Sequence, residues 1–198
     1  MSGNGDRAGA IALLGSPGAG KGTIARRLER TCGVTHLDLG HLLRVRAVRP
    51  DLVGRRIVRA QTRGDMVPKE VVFQVLFEHL DRLDPARTLV LDGFPRTTAQ
   101  LAATDDGRVP IRIERAIWLD VPREVAQERL RRRAAHAPRN DDGDAIARQR
   151  FALMSDTVDA VRRAFAARGL LETVDATRTP DDVLADVVEL ITPLTLRC

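Results

Sequence analysis

Cysteine is scarce in this sequence of 198 residues, and Cys32 and Cys198 are the only two. Two cysteines so far apart provide neither the disulfide framework of a small secreted protein nor the closely spaced pairs of a zinc site. We therefore expect no structural zinc. We also expect both residues to be reduced thiols, which is typical of a cytoplasmic protein.

Long apolar runs are also missing. No stretch approaches the roughly 20 apolar residues that a membrane-spanning helix requires. The first nine residues are polar and lack the apolar core of a signal peptide. The sequence therefore predicts neither a membrane partner nor a secreted protein.

Aromatic residues make up only 3% of the chain, and tyrosine is absent. This composition leaves few side chains on which nucleic-acid bases could stack. The formal net charge is +5, but acidic residues are interspersed with the basic ones along the whole chain. We expect small anionic molecules as partners rather than nucleic acid.

Lysine is also scarce. Of the 32 lysine and arginine residues, only Lys21 and Lys69 are lysines. A compact ammonium group fits sites where the planar guanidinium of arginine is too bulky. A lysine kept inside a glycine-rich segment of such an arginine-rich chain favours a functional role for Lys21.

That glycine-rich segment runs from Gly15 to Thr23 and reads Gly-Ser-Pro-Gly-Ala-Gly-Lys-Gly-Thr. An apolar run at 10–14 precedes it, and a helical pattern starting at Ile24 follows it. Strand, glycine-rich loop and helix in this order are the context of a phosphate-binding loop. Backbone N–H groups and the helix N-terminus hold phosphate oxygens there, and Lys21 supplies a mobile positive charge. The segment therefore predicts a nucleotide site rather than an ordinary turn.

Short apolar runs alternate with helical patterns along the rest of the chain, without a repeat or a linker. This alternation predicts an α/β fold with a doubly wound, five-stranded parallel sheet in one piece. The predicted strands are 10–14, 34–37, 88–92, 114–120 and 170–174. The predicted helices are 24–33, 38–49, 51–61, 70–83, 96–103, 122–135, 144–167 and 181–191. Asp92 ends the third strand, at the edge where ligands bind in such sheets.

Further motifs follow the phosphate-binding loop in unbroken order. They are Leu39-Gly40 with Arg44, Gly64 to Pro68, Leu91 to Thr97, Asp120 to Pro122, Glu128 to Leu130, and Arg139 with Asp141 and Asp142. Together with the loop they resemble the adenylate kinases and related nucleoside monophosphate kinases over nearly the whole chain. The resemblance implies one kinase domain over 1–198, with a helical acceptor-binding lobe at 38–67 and a short lid at 133–142. It implies a monomer that transfers a phosphoryl group from ATP to AMP.

The resemblance also implies roles for individual residues. The residues expected to act on the transferred group are Lys21, Arg96, Arg129, Arg139 and Arg150. The residues expected to bind ATP are Gly18, Ala19, Gly20, Lys21, Gly22, Thr23, Arg129, Arg133 and Arg178. The residues expected to bind AMP are Leu39, Arg44, Asp65, Met66, Val67, Gly93, Phe94, Pro95, Arg96, Gln100, Arg139 and Arg150. Asp92 is expected to organise Mg²⁺ through water, since Mg²⁺ keeps several of its waters in proteins.

One segment departs from the family pattern and keeps alternatives open. Adenylate kinases have Thr-Gly-Asp or Thr-Gly-Glu where this chain has Leu39-Gly40-His41, and leucine cannot form the hydrogen bond that helps to favour adenine. Gln100, in contrast, matches the glutamine that reads adenine. AMP is the predicted acceptor, with another nucleoside monophosphate or small acceptor as the alternative. A non-catalytic nucleotide-binding relative is the second alternative. His36 and Trp118 are interpreted as structural residues.

Overall fold

The computed structural model describes residues 8–84, 86–136 and 144–195, with the side chains of all of these except residues 8, 136, 144–150 and 195. The strands are β1 (Ala8–Leu14), β2 (Thr35–Asp38), β3 (Leu89–Asp92), β4 (Ile111–Asp120) and β5 (Leu171–Asp175). The helices are α1 (Lys21–Cys32), α2 (Leu39–Ala47), α3 (Leu52–Arg63), α4 (Lys69–Leu80), α5 (Thr98–Asp105), α6 (Arg123–His136), α7 (Asp144–Ala166) and α8 (Pro180–Thr195).

The five strands form one parallel sheet in the order β2-β3-β1-β4-β5. This confirms the predicted α/β fold with a five-stranded parallel sheet. The register places Asp38 beside Asp92, and Asp92 beside Leu13 of the central strand. The carboxyl ends of β2, β3 and β1 therefore meet at one edge, next to the loop that connects β1 to α1.

The sheet is apolar on both faces because helices cover both of them. Alternate side chains of a strand point to opposite faces. Ile11 and Leu13 accordingly pack with residues of α1 and α8, whereas Ala12 and Leu14 pack with residues of α5 and α7. Among the described residues, no helix combines the length and apolar character needed to cross a membrane.

Most element boundaries differ from the prediction by a few residues, and three of the larger differences are the following. β4 begins at Ile111 instead of residue 114, because Ile111 is buried and pairs with β1. The charged residues between the isoleucines that follow hide this part of the strand in the sequence. α4 ends at Leu80 instead of 83. α8 continues to Thr195 through Pro193, past the predicted end at 191.

Helices α2 and α3 form a pair beside the carboxyl ends of β2 and β3. Asp38 caps α2 by accepting a hydrogen bond of 2.8 Å from the His41 N–H. Arg46 of α2 is only 5% exposed, and its guanidinium pairs with Asp51 before α3 and with Glu78 of α4. These ion pairs hold the three helices together. The α2–α3 pair covers most of 38–67, and its role as an acceptor lobe stays a prediction.

Candidate functional site

A cavity of about 500 Å³ opens at the edge where β1, β2 and β3 end. The β1–α1 loop, the start of α2, the segment after α3, the turn after β3, and helices α6 and α7 line it. Sixteen of the residues predicted to bind ATP or AMP, and Asp92, lie in its wall: Gly18, Gly20, Lys21, Gly22, Thr23, Leu39, Arg44, Asp65, Met66, Val67, Gly93, Pro95, Arg96, Gln100, Arg129 and Arg133. One continuous cavity therefore brings together residues from most of the predicted motifs.

The backbone of the β1–α1 loop requires glycine at two points. Gly18 has φ +90°, and a Cβ there would lie 2.2 Å from the carbonyl oxygen of Ala126 in α6. Gly20 has φ +99° and precedes α1 without a side-chain cap. The first N–H groups of α1 consequently have no partner within the helix, and they carry the positive end of its dipole. This arrangement binds phosphate oxygens.

Lys21 folds back over this loop. Its Nζ donates hydrogen bonds of 2.8 Å to the Gly15 carbonyl and 2.9 Å to the Ser16 carbonyl. Burial lowers the pKa of Lys21 to about 8, although the nearby Asp92 carboxylate partly counteracts this effect. The ammonium group is thus held in place, partly desolvated, where it can exchange backbone contacts for phosphate oxygens.

The lowered pKa predicts a pH dependence of nucleotide binding. Because the lysine loses its positive charge as the pH rises through about 8, we expect the affinity for ATP to decline above that pH. A bound phosphate raises the pKa of the lysine, so above pH 8 the binding of ATP takes up about one proton. The affinity for ATP should then fall by nearly tenfold per pH unit. Isothermal titration calorimetry with ATP from pH 7 to pH 10 measures this. A Lys21→Met variant should lack that decline, and identical pH profiles for the two proteins would contradict the assignment.

Asp92 and Arg96 lie in the same cavity wall, and the Asp92 carboxylate is close to the start of α1. Arg96 Nε donates a hydrogen bond of 2.7 Å to the Gly93 carbonyl. A Cβ at Gly93 would lie 2.6 Å from Arg96 Nη2, so glycine permits the guanidinium to cross this turn. Burial lowers the pKa of Arg96, against the opposing influence of Asp92 and Asp38. Arginine nevertheless keeps its charge in proteins, so Arg96 is a fixed cation in the cavity wall.

Asp92 fits the role predicted for it toward Mg²⁺. Burial by itself would raise the pKa of this carboxyl group, but His36, Lys21 and Arg96 together hold it below its usual value. The carboxylate is therefore ionised and offers the oxygen ligands that Mg²⁺ prefers. A Cβ at Gly22 would lie 3.1 Å from Asp92 Oδ2, so the absence of a side chain at Gly22 keeps this side of the carboxylate open.

Several predicted residues do not line the cavity. The side chains of Ala19 and Phe94 are buried in the core instead. Any nucleotide contact of these two residues would come from their backbone atoms. Arg178 forms an ion pair with Asp186 of α8 and donates to the Asp175 carbonyl, which keeps its guanidinium at the surface. Arg139 lies outside the described residues, as does the side chain of Arg150, and their roles stay predictions.

Two residues near the cavity, Asp38 and His36, were not among the site residues predicted from the sequence. Asp38 lines the cavity and lies 3.9 Å, Oδ2 to Nη2, from Arg44. His36, interpreted as structural, places its Nε2 3.8 Å from Asp92 Oδ2. The sequence contained one indication that His36 and Asp38 lie together. They are two residues apart on a strand, and such residues share one face of the sheet.

The chain is similar to known proteins over most of its length. A family model described as "Adenylate kinase" matches residues 13–170. An adenylate kinase of Thermus thermophilus is 35% identical over 180 residues, which cover 90% of this chain and 94% of that protein. An adenylate kinase of Xanthomonas euvesicatoria is 34% identical over 176 residues, covering 88% and 94%. One of Stenotrophomonas maltophilia is 32% identical over 183 residues, covering 91% and 98%.

Proposed function

The chain belongs to the adenylate kinase family, and we propose that it catalyses the reversible transfer of a phosphoryl group from ATP to AMP, giving two ADP. It is an ATP-dependent nucleoside monophosphate kinase. The observation that supports this proposal most strongly is the composition of the cavity wall. The phosphate-binding loop with Lys21 faces one part of the cavity, and Arg44 and Arg96 face another.

Two anionic nucleotides repel each other, so the enzyme must supply positive charge on both sides of the transferred group. The N–H groups at the start of α1 and Lys21 would hold the phosphates of ATP. Arg44 and Arg96 would hold the phosphate of AMP. Arg129 lines the same cavity and donates a hydrogen bond of 2.9 Å to the Ala176 carbonyl, which fixes its position. We assign Arg129 to the charge that develops on the transferred group.

The reaction itself requires little from the protein beyond this alignment. An oxygen of the AMP phosphate attacks the γ-phosphorus of ATP, and a new P–O bond forms there. The bond between the γ-phosphorus and the β–γ bridging oxygen breaks, and its electron pair leaves with the β-phosphate of ADP. No general base is needed, because the attacking oxygen is already ionised at neutral pH.

The proposal includes Mg²⁺ as the ion that accompanies ATP, with Asp92 holding it through water. When bound, Mg²⁺ would neutralise part of the negative charge on the phosphate oxygens of ATP. Asp92 is suited to this because its ionised carboxylate lies beside Lys21 in the cavity wall.

Gln100 supports adenine as the acceptor base. Its side chain is 2% exposed, lines the cavity, and accepts a hydrogen bond of 2.7 Å from the Arg96 N–H through Oε1. The carbonyl oxygen of an amide can accept a second hydrogen bond. Within the described part of the chain the Gln100 NH₂ group has no acceptor. One donor and one acceptor thus remain for the edge of adenine.

The decisive experiment is the initial rate of ADP formation from ATP and Mg²⁺ with AMP, UMP, CMP or GMP as the acceptor. We expect AMP to exceed the other acceptors in kcat/KM by at least tenfold. If another of the four acceptors were preferred, the protein would still be a nucleoside monophosphate kinase, but AMP would be the wrong acceptor. Folded protein that binds ATP but phosphorylates none of the four would indicate a non-catalytic relative.

Leu39 permits a sharper test of acceptor recognition. It begins α2, is 1% exposed and lines the cavity. We expect Leu39→Thr to raise the ratio of kcat/KM for AMP over CMP about fivefold, the value of one hydrogen bond. Leu39→Val is the matched control, since valine has the shape of threonine without the hydroxyl group. Equal ratios in the two variants would show that residue 39 does not face the base.

We further propose that the enzyme acts as a cytoplasmic monomer. The low cysteine content supports a reducing compartment, and Cys32 is a free thiol. A monomer is what membership of the adenylate kinase family implies. Light scattering of the purified protein measures its molecular mass directly.

A further inference from the structure

Three side chains with metal-ligating atoms meet at the carboxyl ends of β2 and β3. Asp38 and Asp92 are directly adjacent in the register of the two strands, and His36 lies two residues before Asp38. Each of the three offers one ligand atom, and these atoms all lie within 4.8 Å of one another. The three ligand atoms are therefore close enough together to share one ion.

The histidine nitrogen is the observation that points to a ligand. The His36 side chain is 7% exposed, and its buried Nε2 has no hydrogen-bond partner among the residues that the structure describes. Its distance of 3.8 Å from Asp92 Oδ2 is too long for a hydrogen bond. Buried polar atoms in folded proteins normally have partners. A ligand between His36 Nε2 and the two carboxylates would satisfy all three groups.

Lys21, Arg96 and Arg44 are positive side chains close to these carboxylates. Lys21 Nζ donates to two carbonyls of its own loop, and Arg96 Nε donates to the Gly93 carbonyl. Arg44 Nη2 is 3.9 Å from Asp38 Oδ2, also beyond hydrogen-bond distance. Among the described residues, no donor lies within hydrogen-bond distance of the Asp92 carboxylate. These cations reduce the repulsion between the carboxylates but leave ligand oxygens available.

We propose that His36, Asp38 and Asp92 form a binding site for a divalent transition-metal ion of the zinc class, occupied without any nucleotide. His36 Nε2 and one oxygen of each aspartate would be the ligands, and water would complete the coordination. Zinc accepts this combination of imidazole and carboxylates, with ligands about 2.0–2.2 Å away. Small side-chain rotations would draw the three donors onto the ion.

The imidazole distinguishes this site from the Mg²⁺ that accompanies ATP. Mg²⁺ prefers oxygen ligands and retains several waters, whereas a histidine nitrogen selects transition metals. The ion can reach the site from two sides. Asp38 and Asp92 line the main cavity, and His36 and Asp38 line a second cavity of about 370 Å³.

Titration of the nucleotide-free protein with Co²⁺, followed by visible absorption, tests the proposal, because Co²⁺ reports its ligands in its spectrum. We expect one equivalent to bind, Zn²⁺ to displace it, and an equal concentration of Mg²⁺ to leave it in place. His36→Gln and Asp38→Ser should each weaken Co²⁺ binding at least tenfold. Removal of a group that only supports a metal ligand already weakens metal binding by about tenfold or more, and these two residues are ligands themselves. His41→Asn and Cys32→Ser are the controls and should bind Co²⁺ as the unmodified protein does, because neither residue belongs to the three.

Thermal unfolding with and without Zn²⁺ gives a second readout in the same proteins. A metal that binds only the folded state raises the unfolding temperature, and we expect this rise in the unmodified protein and the two controls but not in His36→Gln. If His36→Gln does not fold, Asp38→Ser decides. Absence of Co²⁺ binding, equal binding after loss of His36 or Asp38, or loss of binding in a control would overturn the site. None of these measurements depends on kinase activity.

Discussion

Replacement of Lys21 by methionine is expected to lower kcat by about 10²- to 10³-fold while the protein remains folded. Charged and hydrogen-bonding groups aimed at the developing charge of a transition state typically have effects of this size. Methionine has a similar length and no charge, so it fills the space of the lysine side chain above the phosphate-binding loop. Burial already disfavours the charged form of the ammonium group, so its removal should change the unfolding temperature by only a few degrees.

The other lysine of the chain provides a matched control. Lys69 begins α4, is exposed, and is absent from the cavity wall. Lys69→Met removes the same charge and should retain normal kcat. Steady-state rates and thermal unfolding of both variants would be compared. A Lys21→Met protein with near-normal turnover, or one that unfolds below the assay temperature, would contradict the assignment of Lys21 to the reaction.

Replacement of Arg96 by lysine is expected to lower kcat/KM for AMP by about 10²-fold, although the formal charge is kept. The guanidinium uses Nε for the Gly93 carbonyl and has its remaining N–H groups available for two oxygens of a phosphate. Lysine cannot do both from a single ammonium group. Lysine also preserves a cation beside Asp92 and Asp38, so the effect should not arise from unfolding. The KM for ATP should remain within about twofold, since Arg96 lies at the acceptor side.

Arg108→Lys is the control for this substitution. Arg108 is exposed, pairs with Asp106, and lies outside the cavity wall. Its replacement should leave both KM values and kcat unchanged. If Arg96→Lys raised the KM for ATP as much as that for AMP, the division of the cavity into donor and acceptor sides would be wrong.

The sequence was sufficient to predict features that depend on neighbouring residues. The β1–α1 loop is encoded in consecutive positions from Gly15 to Thr23, so its geometry follows from local backbone requirements. The strand ending at Asp92 is a short apolar run, which is the usual pattern of a strand covered on both faces. Errors occurred where the local signal was weak, as at Ile111, because the charged residues that follow it hide the continuing strand.

Features that depend on strand order could not be predicted. Three helices separate β2 from β3 along the chain, yet the two strands are neighbours in the sheet. Only this pairing puts Asp38 beside Asp92 and turns His36 toward both. Read along the sequence, Asp38 is simply a good residue to begin a helix, and His36 is a lone histidine on a short strand. Their proximity is a product of the tertiary structure.

The lowered pKa of Lys21 has a consequence for chemical labelling. An amine attacks electrophiles only in its unprotonated form, and a pKa of about 8 makes this form far more abundant at neutral pH than in an ordinary lysine. Lys69 is the only other lysine side chain, and it is exposed to solvent. An acylating reagent attached to a nucleotide would therefore modify a single side chain. The scarcity of lysine thus leaves a single lysine side chain of raised reactivity, which lies in the cavity wall.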